Sequence, residues 1–536
     1  MAEIAVVGSG ACGVHFALTA LQQGHRVVLL DVGYRPPPVV RPDATFDGLK
    51  EGLEDPVGYF LGPAGEGIVY PASKPSYYGH PPSKSYVFRI PDRFATRARA
   101  MAPLFSFARG GLAEAWTAGS YAFGDDDLAD FPFGYEALRP CYQEVARRIG
   151  VGAVRDDLAR FIPFDADYLD PLPLDEHSAL LLERYAAQRS RLNERYGFYL
   201  GRSRVATLSR DYAGRRGCAQ LGRCLWGCPV GAIYSPAHTL EECLRFPGFR
   251  YLSGALVRYF TYGTDGRVTS LAAEALEGGG PVEVRADWYV LAAGALATSK
   301  IVLDSVWRRT GRIAALPGLM DNRQAHVPFL SFGMLGRPVQ TASYQYHHLA
   351  FGLPQPDPRD YIHGQITTLK AAAVHPIVQS LPLDLRSALD AFRGIRAGLG
   401  IANVNLCDRR REASRLTIEP VPGTDRTTLV LEYADDPAEP ARLAQALRQV
   451  RRALRSLGCL VPPGMTRILP KGASVHYAGT LPMSREAGEY TCDPLGRAHG
   501  FPNLIVADGA GFPFLPAKNL TFTLMANAVR LASQIP

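Results

Sequence analysis

The sequence predicts a mixed α/β (α+β overall) fold of at least two structural domains, on three observations. The chain opens with a strand, a glycine turn, a helix and a second strand. Strand-like runs recur far outside that unit. And 536 residues, 47% hydrophobic and 20% charged, exceed what one growing hydrophobic core holds while keeping the proportions of an ordinary globular protein.

The opening unit is residues 4 to 31, IAVVGSGACGVHFALTALQQGHRVVLLD. Gly8, Gly10 and Gly13 fit G-x-G-x-x-G. The first permits a tight turn, the second lets backbone approach a pyrophosphate, and the third lets helix pack on strand. Unpaired N–H groups at the helix start favour the anion there. Asp31 ends the second strand, where its carboxylate can accept hydrogen bonds from a ribose. A motif set between strand and helix, with the acid at that distance, points to dinucleotide binding.

From 34 to 100 the chain is rich in Pro, Gly and Tyr without a sustained period, which predicts loop and cover. Helical periodicity follows over 135–150 and 174–196, then strands over 250–294. A block from 320 to 436 alternates strand-like runs (HVPFLSFGML, LTIEPVPG, TTLVLEY) with loops, and PAEPARLAQALRQVRRALRSLG predicts a long helix.

The net charge of +7 comes from 58 basic and 51 acidic residues spread along the chain. The densest basic cluster, RSRVATLSRDYAGRRG at 202–217, is expected to be a solvated loop, and without basic patches interleaved with aromatics nucleic acid is not an expected partner. No stretch is apolar for eighteen residues, and a strand starting at residue 4 leaves no room for a secretory signal, so no membrane association and a cytoplasmic location with reduced thiols are expected. Cys12, Cys141, Cys243, Cys407, Cys459 and Cys492 read as small core residues.

In SVHYAGTLPM, His476 could be a satisfied core side chain or a base held against a substrate. Its place in a series of motifs bears on the choice. VVGSGACG, GGLAEAWTAG at 110–119, DFPFGYEALRPCY at 130–142, GCPVGA at 227–232, VLAAGALATSKIVL at 290–303, HYAGTLPM, and NLIVADGAGFP with NLTFTLMANA resemble, in their order, the glucose-methanol-choline (GMC) oxidoreductases. These are flavoenzymes that oxidise alcohols, especially sugars.

The resemblance implies a Rossmann-like FAD-binding domain assembled from 1–35, 100–130, 200–315 and 465–536. It implies a second, substrate-binding domain on an antiparallel sheet, with cover segments, from 36–99, 131–199 and 316–464. Beside Gly8, Gly10, Gly13 and Asp31, it implies cofactor contacts at Gly110, Gly111, Trp116, Val257, Gly294, Asp508 and Gly509, and a helix from near Thr521 aimed at the flavin.

His476 stands at the family's catalytic histidine and Asn519 at its second His or Asn. The chemistry asks for such a pair. A hydride leaves a carbinol carbon easily only as the hydroxyl proton departs to a base, and an amide opposite can donate to the developing alkoxide. His347 and His348 hold no such position.

GGLAEAWTAG looks particularly like the sugar 2-oxidases, where a histidine before the tryptophan bonds covalently to the flavin. Ala115 stands there, implying noncovalent FAD. CAQLGRCLWGC leaves two readings: Cys218, Cys224 and Cys228 are expected to be structural thiols, with the alternative that they hold an iron-sulfur cluster, as their resemblance to such a stretch implies.

The expected function is FAD-dependent oxidation of a hydroxyl of a sugar, glycoside or aminoglycoside/aminocyclitol-type alcohol, by hydride transfer to flavin N5, with oxygen or another electron acceptor as partner. The alternatives are an iron-sulfur-containing flavoprotein sugar dehydrogenase and a redox-silent flavoprotein lyase. The specific hydroxyl and the oligomeric state are left open.

Overall fold

The computed structural model describes residues 1–69, 79–370, 378 and 381–536. A five-stranded parallel sheet runs in the order Leu504–Val506, Trp288–Leu291, Glu3–Val7, Arg26–Asp31, Phe249–Ser253. Its strands are near-continuous apolar runs because helices or a second sheet cover both faces. On one face lie the helices Ala11–Gln22, Pro236–Cys243 and Thr521–Ala532, closing a core around Val6, Phe16, Leu29 and Ile505. On the other lie the helix Ala295–Thr310 and the antiparallel ribbon Ala255–Tyr262, Val268–Ala275, Pro281–Val284. The Rossmann-like arrangement expected from the first 31 residues is therefore present, with its outer strands supplied from much later in the chain.

The second large sheet is antiparallel and seven-stranded. Its main path is Cys459–Leu460, Arg323–Ser331, Leu399–Leu406, Ile362–Thr368, His347–Leu353, Tyr199–Arg202, and Arg467–Ile468 also pairs with Arg323–Ser331. Period-2 alternation divides its two faces. Ala325, Val327, Phe329, Ala402, Val404 and Ile366 pack under the helices Glu176–Ala187 and Glu439–Ser456. Gln324, His326, Ile401, Asn403, Gln365 and Thr367 face the other way, into a cavity. Gly364 and Gly400 lie under the rings of Phe351 and Phe329, where a Cβ would collide with the aromatic atoms.

Several expectations need correction. Within 34–100 the chain carries helices at Phe46–Gly52 and Pro56–Leu61, and a strand, Ala95–Arg99, that pairs in parallel with Thr427–Glu432; residues 70–78 lie outside the described residues. The runs LTIEPVPG and TTLVLEY do form strands, Arg415–Pro420 and Thr427–Glu432, and join Ala95–Arg99 and Ala315–Pro317 in a separate four-stranded sheet. The basic segment 202–217 is a solvated loop only in its second half: residues 203–208 are buried, whereas 210, 211, 213, 214 and 216 are exposed. Arg204 donates to the carbonyls of Ile162 (3.1 Å) and Pro163 (2.5 Å), and Arg215 to those of Ile149 (2.8 Å) and Ala232 (3.1 Å). Guanidinium groups satisfied by carbonyls can be buried without acidic partners nearby.

Candidate active site

A cavity of about 620 Å³ runs from the parallel sheet to the antiparallel one. Gly8, Gly10, Asp31, Gly110, Gly111, Trp116, Val257, Gly294, Asp508, Gly509, His476 and Asn519 all line it, so twelve of the thirteen residues expected at a cofactor or catalytic position border one space, and Gly13 packs against Gly8 behind it.

The parallel-sheet end is built from backbone. Gly8 has φ +99°, and a Cβ at Gly13 would overlap the Gly8 carbonyl oxygen, so the turn and helix pack as the motif requires. In front of Gly10 there is open space. Gly110 N donates to Ser9 Oγ at 3.0 Å, and the Ser9 hydroxyl donates to Asp31. Tyr251 also donates to Asp31, at 3.2 Å, while burial pushes that carboxyl up to about 7. No side chain caps the helices starting at Ala11 and Thr521, so their first N–H groups are left for a ligand. Space above Gly10, the uncapped helix start at Ala11 and a buried acid beside the turn fit the pyrophosphate and ribose of FAD.

Asp508 and Gly509 brace this end. Asp508 accepts from Gly294 N (2.9 Å), Thr298 Oγ1 (2.6 Å) and Ala510 N (3.0 Å), so both its oxygens are engaged by protein. A Cβ on Gly509 would strike the Tyr477 carbonyl oxygen, one residue from His476. Trp116 is held by its indole N–H donating to Tyr234 O at 2.8 Å. Ala115 lines the cavity beside it with only a methyl group.

At the far end, His476 follows Val475, whose φ of +60° is strained for a β-branched residue. The segment is pinned by Asp321, which accepts from Gly472 N at 2.8 Å and from the Ser474 hydroxyl. His476 Nδ1 lies 2.9 Å from Asn322 Oδ1, and burial holds the imidazole down at about 4. The ring is therefore neutral near pH 7 and able to accept a proton. Asn519 Oδ1 accepts from Gln365 Nε2 at 2.9 Å, which turns its NH2 group away from that contact.

Sequence reasoning missed the sheet face beside this pair. His326, Asn403 and Gln365 are direct cross-strand neighbours, so their side chains form one polar row about 10 Å long, at two strand spacings. Burial lowers His326 to about 4, and Asn403 Oδ1 is buried without a hydrogen-bond partner in the protein. Only the alternation within HVPFLS and IANVN hinted at these residues. His347, which holds no catalytic position in the motifs, reaches the cavity wall, but Ser203 (3.1 Å) and Thr117 (2.8 Å) occupy its two ring nitrogens.

Cys224 is buried, Cys218 and Cys228 are half-buried, and burial raises the Cys218 and Cys224 thiols. Among the described residues no group of three His, Cys, Asp or Glu side chains is placed to hold a metal ion, and no helix is long and apolar enough to cross a membrane.

Known proteins share both sequence and architecture with the chain. The family model described as GMC oxidoreductase matches residues 410–528. A C-glycoside 3-oxidase from Microbacterium trichothecenolyticum is 29% identical over 51% of this chain and about half (51%) of its own length. A 6'''-hydroxyparomomycin C oxidase from Streptomyces lividus is 24% identical over 99% of this chain and 91% of its own. The crystal structure of pyridoxine 4-oxidase from Mesorbium loti superposes with a TM-score of 0.63 at 16% identity, covering 100% of this chain and 99% of that one.

Proposed function

We propose that the chain is a GMC oxidoreductase, the family whose model matches residues 410–528, and that it oxidises a hydroxyl of a sugar, glycoside or aminoglycoside-type alcohol with noncovalently bound FAD. The observation that carries the reading is the single cavity with a glycine-built, uncapped-helix end and a His476–Asn519 end beside a polar sheet face. The relatives named for oxidising a C-glycoside and a hydroxyparomomycin support the substrate class.

Gly8, Gly10, Asp31, Gly110, Gly111 and Val257 would hold the dinucleotide, and the start of the helix Thr521–Ala532 would face its flavin. When bound, FAD supplies a two-electron acceptor for the hydride of the carbinol carbon. His476 takes the hydroxyl proton, which its lowered basicity allows at neutral pH without prior deprotonation. Asn519 donates from Nδ2 to the oxygen as negative charge grows there. The row His326–Asn403–Gln365 offers hydrogen bonds to the remaining hydroxyls of a polyol, and the unpartnered Asn403 Oδ1 is an acceptor waiting for one. In the same reading the pieces 1–35, 100–130, 200–315 and 465–536 form the FAD domain, and the remainder forms the substrate domain and cover.

Anaerobic mixing of the purified holoprotein with sugars, glycosides and aminoglycosides tests this. Loss of the visible flavin bands with at least one class is expected. Bleaching by simple aliphatic or aromatic alcohols, with none of the polyols active, would overturn the substrate assignment.

A further inference from the structure

Asn322 lies at the start of the strand Arg323–Ser331 and is 1% exposed. Its amide makes three contacts. Nδ2 is 2.8 Å from the Leu406 carbonyl oxygen and 3.0 Å from that of Pro516, and Oδ1 is 2.9 Å from His476 Nδ1. Carbonyl oxygens only accept, so the two backbone partners require the NH2 group on their side. Turning the amide over would set oxygen against oxygen twice. Oδ1 is thereby fixed toward the histidine, and an amide oxygen cannot donate. The proton of the neutral imidazole must sit on Nδ1, which leaves the lone pair on Nε2.

We propose that Asn322 is a positioning residue that holds His476 in the Nδ1–H tautomer, making Nε2 the basic nitrogen presented to the cavity. This rests on the reading of His476 as the base. Asn322 also ties the two halves of the site together: the Pro516 carbonyl that it binds lies three residues before Asn519. One amide thus orients the ring and tethers the segment carrying the opposing donor.

The surrounding charges are already committed elsewhere. Asp321 is taken up by Gly472 and Ser474, and Asp408 by Asp321 N (2.9 Å), Tyr433 (2.5 Å) and Arg411 (2.9 Å). Lys471 pairs with Glu439 at 2.6 Å, and Lys518 pairs with Asp127. His326, His347 and His363 are kept neutral by burial. The contact with Asn322 is accordingly the one that selects the ring nitrogen.

The direct test is the ¹⁵N spectrum of holoprotein labelled at histidine, with His476 assigned through His476→Gln. A pyrrole-type Nδ1 and a pyridine-type Nε2 are expected at pH 7, and the opposite pattern overturns the proposal whether or not any sugar is a substrate. Asn322→Asp keeps an acceptor toward the ring and adds negative charge, while giving up the donor to the Leu406 and Pro516 carbonyls. Its acid limb of flavin reduction should move up by about 1–3 pH units, whatever the loss in plateau rate. Asn322→Ala should lose the fixed tautomer and reduce the flavin at least about 10-fold more slowly at every pH. An unmoved limb in the Asp variant, or a wild-type rate in the Ala variant, refutes the assignment. If either variant does not fold, the wild-type spectrum alone decides.

Discussion

Gln365 Nε2 donates to Asn519 Oδ1 at 2.9 Å, joining a sheet residue to one that lies 154 positions later. The bond leaves Asn519 Nδ2 as the group that can meet a substrate oxygen. Gln365→Leu removes the donor and frees the amide to rotate. Flavin reduction should slow by about 10- to 100-fold with FAD affinity unchanged, because the dinucleotide contacts lie at the other end of the cavity. Anaerobic stopped-flow and flavin titration measure the two quantities separately.

His476→Ala should retain FAD and slow reduction by about 10²- to 10⁴-fold, the usual worth of a positioned base. If reduction proceeds at the wild-type rate, the histidine is a core residue and the base is elsewhere.

The pH profile follows from the buried ring. His476 acts deprotonated, and its affinity for protons is lowered to about 4, so activity is lost on the acid side only when pH approaches that value. The rate of flavin reduction should stay level from pH 8 to about 5 and fall below that. The sign for stability is the same: the unfolded histidine binds a proton from about 6.5 down, the folded one only near 4, so this group makes folding less favourable as pH falls through that window.

Ala115 carries no nucleophile, so acid or heat precipitation should leave the pellet colourless and the flavin in solution. Yellow polypeptide would require a covalent bond from another residue.

Val475 offers a test of strain. With φ at +60°, Gly is the residue that relaxes the turn, whereas Ala keeps the penalty and loses the packing. Val475→Gly should be more stable than Val475→Ala by about 1 kcal/mol, the reverse of the usual order. Thermal or denaturant unfolding of the two variants gives the difference.

The glycine turn and Asp31 were legible because the spacing of a strand–turn–helix motif carries its geometry, whereas His476 and Asn519 stood out only through the resemblance of their motifs to the family's. The cavity sheet was harder. IHGQITT and LGIANVNL hold glycines that make room for Phe351 and Phe329, and these runs and HHLAFGL carry polar side chains that face a cavity, so each lacks the apolar signature of a strand. Asn322 and Gln365 left no trace in the sequence: a single amide has no motif, and its role depends on partners 84 to 194 residues away. Buried arginines such as Arg204 were misread for the same reason, since their carbonyl partners are invisible to charge counting.

The two faces of the antiparallel sheet also separate what natural or laboratory evolution can change from what it must keep. Ala325, Val327, Ala402 and Val404 are tied into the helix-packed core, and diversity there would be filtered out by misfolding. Gln324, His326, Ile401 and Thr367 alternate with them on the cavity face of the same sheet. A library randomised at those four positions should therefore yield mostly folded, yellow proteins with altered substrate preferences, so that new specificities can be selected without first repairing the scaffold.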